Sequence, residues 1–190
     1  IALAKQEGLY TSLSTNAQGM NRLLADQLVV SGLDHIIVSI DGLSEESYNA
    51  YRQGGSLHKA LDGLCYVRQA KKKHNAHIRI ELQCLRLKSN EHEWQLLKRN
   101  YRHMGADTLT LKTAQFYDYE QGNDLMPSNS RYSRYIFDAT IGKYRPKNRQ
   151  KSQKNIPCRR LWKGCVIDVH GNMLPCCFDK DGQHILGNLV

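Results

Sequence analysis

The stretch "SGLDHIIVSIDG", Ser31 to Gly42, contains the joint between a helix and a strand that decides the fold. Its first glycine is a helix stop, an aspartate follows, and "HIIVSI" (35–40) is an apolar run typical of a buried strand. The same order returns in "MGADTLTLKT", Met104 to Thr113. A repeated helix–Gly–strand joint predicts stacked βα units, and hence a parallel sheet covered by helices.

The rest of the first 115 residues fits this alternation. Apolar runs predict strands over 9–16, 35–40, 77–87 and 108–113, and helical spacing predicts helices over 21–31, about 57–73 and 94–104. The fold class is therefore α/β, and element lengths do not decide between an open sheet and an arc of a barrel. We interpret Cys65 and Cys84, which lie in apolar patterns, as core residues.

The pattern breaks after Gln115. The chain has a net charge of +9, and residues 143–160 contain eight basic residues and no acid. We interpret this run as a solvated linker, with contact to an acidic substrate or nucleic acid as the alternative. The predicted units are 1–115, a basic irregular segment 116–156, and a cysteine-bearing module 157–190. No export signal and no run of 18 apolar residues is visible, so we expect a cytoplasmic protein without a membrane span.

The predicted strands end in hydrogen-bonding side chains. Ligands of parallel α/β sheets gather at the carboxyl ends of the strands. Alternation places Ser39 and Asp41 on one face of their strand, and Glu81 and Gln83 on one face of the next. Lys112 lies on the fourth strand. These ends predict a polar pocket; the alternative is that strand ends are polar because they leave the core.

Four cysteines lie within twenty residues, at 158, 165, 176 and 177. "CVIDVHGNMLPCCFD", Cys165 to Asp179, is typical of a tight hairpin with strands over 166–169 and 173–174 and a turn over 170–172. Clustered thiols in a chain without an export signal indicate metal rather than disulfides. Thiolates suit zinc or iron–sulfur clusters, and the spacing alone leaves the metal open.

The order of several motifs resembles radical S-adenosylmethionine (SAM) enzymes with a SPASM domain. In the first part they are "TN" (15–16), "GLD" (32–34), "VSIDG" (38–42), "YR-x-G-G" (51–55), "SNEHEW" (89–94) and "GADTLTLKTAQ" (105–115). In the last part Cys158, twelve residues, Gly171, four residues and Cys176 match the opening of the SPASM cysteine pattern, as do "CRRLW", "GNMLPCCFD" and "LGNL". The resemblance leaves out only 116–156.

The resemblance implies a partial TIM-like barrel of parallel βα units with SAM across the strand ends. In that family a [4Fe–4S] cluster cleaves SAM to a 5′-deoxyadenosyl radical, which abstracts hydrogen from a peptide, protein or carbohydrate-type substrate. By matching positions, Ser39 and Asp41, and less directly Asn16 and Gln83, would contact SAM. Lys112 is the candidate catalytic residue, because its ammonium, if it points inward, could meet a carboxylate of SAM or substrate; the alternative is a surface lysine.

The resemblance also implies metal ligands and a fragment. Cys158 and Cys176 match the first two auxiliary-cluster ligands, while Cys165 and Cys177 are extra thiols. The Cys-x3-Cys-x2-Cys triplet that holds the SAM-cleaving cluster does not occur in this sequence, nor do the later SPASM cysteines. We therefore expect a fragment that is inactive by itself. The alternatives are a nucleic-acid-directed radical enzyme and a non-catalytic zinc- or peptide-binding module.

Overall fold

The computed structural model describes residues 1–147, 162, 164–176, 179 and 181–190, and the chain divides into two compact units, 1–147 and 148–190. The first unit contains helices α1 (Ala2–Gln6), α2 (Arg22–Val30), α3 (Glu45–Asn49), α4 (Leu57–Lys73) and α5 (Trp94–Asn100). Its strands are β1 (Ser12–Thr15), β2 (His35–Ser39), β3 (Arg79–Arg86), β4 (Thr108–Thr113), β5 (Tyr135–Asp138) and β6 (Lys143–Pro146). None of the described helices is long and apolar enough to cross a bilayer.

Strands β1 to β4 form one parallel sheet in the order β1-β2-β3-β4, which confirms the predicted α/β class. One face of this sheet carries the core, which includes Ile36, Val38, Ile80, Leu82 and Cys84. Ala60, Leu64 and Val67 of α4 belong to the same buried cluster. The prediction for Cys65 is wrong, because it is exposed. It follows Leu64 by one residue, which turns it about 100° away from the buried stripe.

The two repeated joints use their aspartates in the same way. Asp34 accepts a hydrogen bond from the N–H of Thr11, just before β1, at 2.7 Å. Asp107 accepts one from the N–H of Ile80 in β3 at 2.8 Å. Each aspartate also binds a lysine, Lys5 at 2.8 Å and Lys71 at 2.7 Å respectively. The repeated sequence therefore fastens the start of a strand to its neighbour at both ends of the sheet.

Residues 116–147 pack within the first compact unit rather than apart from it. Strands β5 and β6 form an antiparallel hairpin that begins after a short 3₁₀-helix, Ser130–Tyr132. The basic residues from Lys143 to Arg145 therefore lie in a strand. Residues 148–160, the remainder of the basic run, lie outside the described part of the chain.

The second unit contains strands β7 (Val166–Ile167), β8 (Asn172–Leu174) and β9 (Gly187–Asn188) in one antiparallel sheet. The hairpin was predicted, but its turn begins at Asp168 and Val169 is not in the strand. The reason is that Asp168 accepts hydrogen bonds from the N–H groups of His170 at 2.8 Å and Asn172 at 3.0 Å. The side chain thus closes the turn earlier than the apolar pattern indicated.

Candidate functional site

A row of polar side chains crosses the sheet on the face opposite to the helices. In the register Ser39 pairs with Gln83, and Gln83 pairs with Thr110 of β4. Asn16 follows the last paired residue of β1, which places it beside Ser39. Because Val38 and Leu82 point into the core, alternation directs these neighbours to the other face. Three of the predicted site residues are therefore brought together, and the row adds Thr110, which the sequence interpretation missed.

Lys112 lies on the same face, one step closer to the carboxyl end, where it pairs in register with Leu85. It is exposed. Toward the amino ends, His35 and Glu81 lie on this face, with His35 Nε2 3.1 Å from Glu81 Oε2 but without hydrogen-bond geometry. The face thus changes from a half-buried His35 beside a buried Glu81 near the strand starts to more open polar groups near the strand ends. A role of Lys112 in catalysis stays a prediction.

Asp41 differs from the other predicted residues because it is only 1% exposed. Its Oδ1 accepts a hydrogen bond from the N–H of Leu85, and its Oδ2 accepts one from Arg52 Nε, each at 2.6 Å. Strand β2 ends at Ser39 while β3 continues, so the carboxylate takes the place of the next ladder carbonyl. A direct contact between Asp41 and a ligand stays a prediction, and the contacts make Asp41 a positioning residue for Arg52.

Asn90, which is 1% exposed, ties the loop after β2 to the end of β3. Its Nδ2 donates to the carbonyls of Asp41 and Leu85, both at 2.9 Å. Its Oδ1 accepts from Leu87 N–H at 3.0 Å and from Trp94 Nε1 at 2.7 Å. A fully bonded buried amide of this kind fixes the backbone on both sides, so the carboxyl edge of the sheet is rigid at this point.

Glu93 and Gln18 fix the neighbouring loops. Glu93 accepts hydrogen bonds from Leu43 N–H at 2.8 Å and from Ser47 Oγ at 2.9 Å. Gln18 donates to the carbonyl of Ser56 and accepts from its N–H, both at 2.9 Å. The turns after β1 and β2 are therefore held by side chains distant in sequence. The "SNEHEW" motif contains Asn90 and Glu93, but the sequence alone does not indicate which residues they contact.

Cys165 and Cys176 lie at the open end of the β7–β8 hairpin. Val166 pairs with Leu174, so continuing the register places Cys165 opposite Pro175, next to Cys176. Cys165 is exposed, Cys176 is half-buried, and both are free thiols. Cys158 and Cys177 lie outside the described residues. The predicted closeness of Cys158 and Cys176 therefore stays a prediction.

The turn of this hairpin has two independent supports. Gly171 has a φ of 78°, and a Cβ there would lie 2.5 Å from Val190 Cγ2. Asp168 accepts three hydrogen bonds, the third from Asn172 Nδ2 at 3.0 Å. These bonds, of which the one from the Asn172 side chain has the largest effect, hold the pKa of Asp168 below its usual value. The spacing from Cys158 to Gly171 to Cys176 is thus anchored at its glycine.

The donor set at this hairpin suits a soft metal or cluster, because thiolates are the preferred ligands of zinc and iron–sulfur sites. Among the described residues no group of three or more His, Cys, Asp or Glu is placed to hold a metal ion. Burial raises the pKa of the Cys84 thiol, which makes it a poor ligand. The residues that fit a cluster are therefore Cys165 and Cys176, together with sequence neighbours outside the described range.

Residues 158–190 match the family model of SPASM, an iron–sulfur cluster-binding domain. This match falls on the segment that carries the four clustered cysteines. It favours an iron–sulfur cluster over zinc for this part of the chain.

Two solved structures share the fold of the chain. Native anSMEcpe with bound AdoMet (SAM) and Kp18Cys peptide aligns with a TM-score of 0.60 and 15% identity, over 94% of this chain and 54% of that one. A histidine-tagged form of anSMEcpe with bound AdoMet aligns with a TM-score of 0.56 and 15% identity, over 94% of this chain and 51% of that one. The chain thus spans about half the length of these proteins.

The family model confirms the SPASM part of the predicted resemblance, and the shared fold agrees with its radical SAM part. At 15% identity, the alignments with anSMEcpe show a shared fold. anSMEcpe is a radical SAM enzyme of the SPASM type. The family model adds the iron–sulfur domain at the carboxyl-terminal end of the chain.

Proposed function

We propose that the protein acts as a radical SAM/SPASM enzyme on a peptide or protein substrate. The observation that carries this proposal is the combination of two features: the polar row at the strand ends and the SPASM match over the cysteine hairpin. The solved structures that share the fold contain AdoMet, and one of them contains a peptide. In this interpretation β1 to β4 are an arc of a partial barrel.

Ser39, Gln83 and Asn16 would contact SAM at the carboxyl edge of the sheet. Their hydroxyl and amide groups can donate to and accept from ribose and methionyl groups. The rigid attachment through Asn90 and Glu93 keeps the strand ends in place, which limits the entropy lost on binding. Asp41 would hold Arg52 in position beside them, and Lys112 would meet a carboxylate.

Cys158 and Cys176, with Cys165 and Cys177 as further candidates, would hold an auxiliary iron–sulfur cluster. When bound, such a cluster supplies electron transfer beside the substrate. The protein's own part is to present deprotonated thiols at the hairpin's open end. The hairpin is braced for this by Asp168 and Gly171, because both fix the turn that separates the two strands.

SAM binding tests the proposed site. In anaerobically prepared full-length protein, Ser39→Ala should weaken SAM binding about three- to tenfold in titration calorimetry, as expected for one lost hydrogen bond. Ser12→Ala is the matched control, because Ser12 lies on the same face at the amino end of β1. Equal SAM affinity in the two variants would place the ligand elsewhere.

A zinc-binding module without catalysis is the second candidate function, because thiols alone also suit zinc. A nucleic-acid-directed enzyme is the third, based only on the basic run. Stoichiometric zinc without iron or sulfide would favour the former. SAM-dependent activity that occurs only when nucleic acid is present would favour the nucleic-acid-directed enzyme.

A further inference from the structure

A cavity of about 790 Å³ lies in the first unit, apart from the polar row of the sheet. Its lining combines aromatic rings with neutral polar groups and includes Lys88, Gly122, Asp124, Ser128, Phe137 and Tyr144. This volume is in the range of sites that hold a small ligand or a few side chains. No motif in the sequence predicted it.

The wall of the cavity formed by residues 121–124 is held against β6. The backbone carbonyl of Glu120 accepts a hydrogen bond from Tyr144 N–H at 2.9 Å, and its carboxylate pairs with Lys143 Nζ at 3.0 Å. Gly122 lies directly against the Tyr144 ring, where an added Cβ would be 3.1 Å from the ring edge. The Phe137 ring meets the Tyr144 ring edge-on at 5.3 Å. The aromatic floor is therefore formed before any ligand arrives.

The opposite wall is held to the end of the parallel sheet. Lys88 N–H donates to the carbonyl of Leu125 at 3.0 Å, and Ser128 N–H donates to Glu91 Oε2 at 2.9 Å. Arg86 lies under the ring of Tyr132 at 4.6 Å. Cavity and carboxyl edge are thus parts of one rigid framework within the first unit.

Strand β5 offers an open backbone edge at this cavity. The N–H of Tyr144 donates to the carbonyl of Glu120 and not to its register partner Phe137. Phe137 and Tyr144 therefore form a non-hydrogen-bonded pair. The N–H and C=O of Phe137 consequently point away from β6. In the described part of the chain, no residue hydrogen-bonds to them on that side. Pro146 at another such position agrees with this register, since proline has no N–H to donate.

We propose that this cavity binds an extended peptide segment that pairs with the Phe137 edge of β5 and inserts an uncharged side chain against Phe137 and Tyr144. An open strand edge recognises the backbone of a peptide, whereas a neighbouring pocket selects a side chain. Lys88 and Asp124 are the two charged residues of the lining and offset each other, so the pocket favours a neutral side chain. The inference deepens the proposed function, because it gives a peptide substrate a docking site separate from the SAM site.

Binding of a defined peptide tests the proposal. The probe is a fluorescein-labelled octapeptide that alternates Thr and Tyr, measured by anisotropy with no SAM or metal added. Ser128→Trp fills the cavity and should weaken binding about tenfold, whereas Ala139→Trp, in the β5–β6 turn outside the lining, should stay within about twofold of wild type. The same peptide with alternate amides N-methylated should also bind about tenfold more weakly.

Equal binding by Ser128→Trp and wild type, or by the methylated and unmethylated peptides, would overturn the proposal. Stronger binding of the neutral oligosaccharide maltoheptaose than of the peptide would also overturn it. If Ser128→Trp does not fold, as judged by circular dichroism, hydrogen exchange of wild type decides instead: the peptide should slow exchange at the Phe137 amide, and unchanged exchange there contradicts the proposal. Because no SAM or cluster takes part, failure of the proposed enzyme function leaves these results unaffected.

Discussion

The carboxylate of Asp41 replaces a strand carbonyl for the N–H of Leu85, with an oxygen–nitrogen distance of 2.6 Å. The strand that leads to Asp41 ends two residues before it, at Ser39, whereas the neighbouring strand continues to Arg86. A buried side chain thus completes the ladder at the point where the proposed SAM site lies. This relationship gives Asp41 a structural role that is separable from any contact with SAM.

Replacement of Asp41 should therefore affect stability as well as binding. Asp41→Ala removes the acceptor of a buried N–H and the partner of Arg52, so we expect the free energy of unfolding to fall by about 2–4 kcal/mol in urea titrations. SAM affinity in the full-length enzyme should fall by about 1–3 kcal/mol. Asp62→Ala, which removes a half-exposed carboxylate on α4, is the control for stability. A variant as stable as this control would show that the bond to Leu85 contributes little.

Asn90 should be among the most sensitive polar residues of the first unit. Asn90→Ala leaves the carbonyl of Asp41, the N–H of Leu87 and the indole N–H of Trp94 without partners, so we expect a loss of about 3 kcal/mol in the free energy of unfolding. Asn100→Ala, at the end of α5, should change stability by less than about 0.5 kcal/mol. Similar unfolding midpoints for the two variants would contradict the bracing role of Asn90.

The sequence predicted the parallel sheet because the two Gly–Asp joints and the apolar runs are local signals. It also placed Glu81 and Gln83 on one face of their strand, since alternation along a strand is local as well. Glu93 was missed because its partners Leu43 and Ser47 lie about fifty positions away in sequence, where no periodicity points. Asn90 was missed because its bond to Asp41 is equally distant, and its local bonds leave no periodic pattern. Cys65 was predicted to be buried because the sequence does not distinguish an apolar residue just beside the buried stripe of α4 from one within that stripe. The β5–β6 hairpin was missed because its aromatic and basic residues do not alternate cleanly.

The pH dependence of stability should report on Asp34. Hydrogen bonds from Lys5, and then from Thr11, lower its pKa in the folded protein from 3.8 to about 2. A depressed folded pKa means that the stabilisation is present above the unfolded value and is lost as the pH falls through 3.8 toward 2. Asp34→Asn should therefore flatten the decline of the melting temperature between about pH 5 and pH 2. An unchanged slope would show that Asp34 is not protonated differently on unfolding.

Thiol reactivity should separate Cys84 from Cys65. Cys84 is 1% exposed, and burial raises its pKa, so iodoacetamide should leave it unmodified in the folded protein. Cys65 is exposed and should be alkylated under the same conditions. Peptide mass spectrometry before and after addition of urea measures both sites. Modification of Cys84 at the rate of Cys65 would mean that the sheet opens at β3.

The turn at Gly171 should control the cysteine hairpin. Gly171→Ala places a Cβ 2.5 Å from Val190 at a φ of 78°, so the hairpin should be strained and the iron content of anaerobically purified full-length protein should fall at least about twofold. Gly164→Ala is the control, since a Cβ there meets nothing within 4 Å. Equal iron content in the two variants would show that the turn does not support the cluster.

Iron and acid-labile sulfide in anaerobically purified full-length protein test the central claim most directly. We predict both elements in nearly equal amounts, with iron and sulfide falling together by the share of the auxiliary cluster in Cys176→Ser and unchanged in Cys65→Ser. Zinc without sulfide, or the same iron and sulfide content in Cys176→Ser as in wild type, would contradict an iron–sulfur cluster at this hairpin.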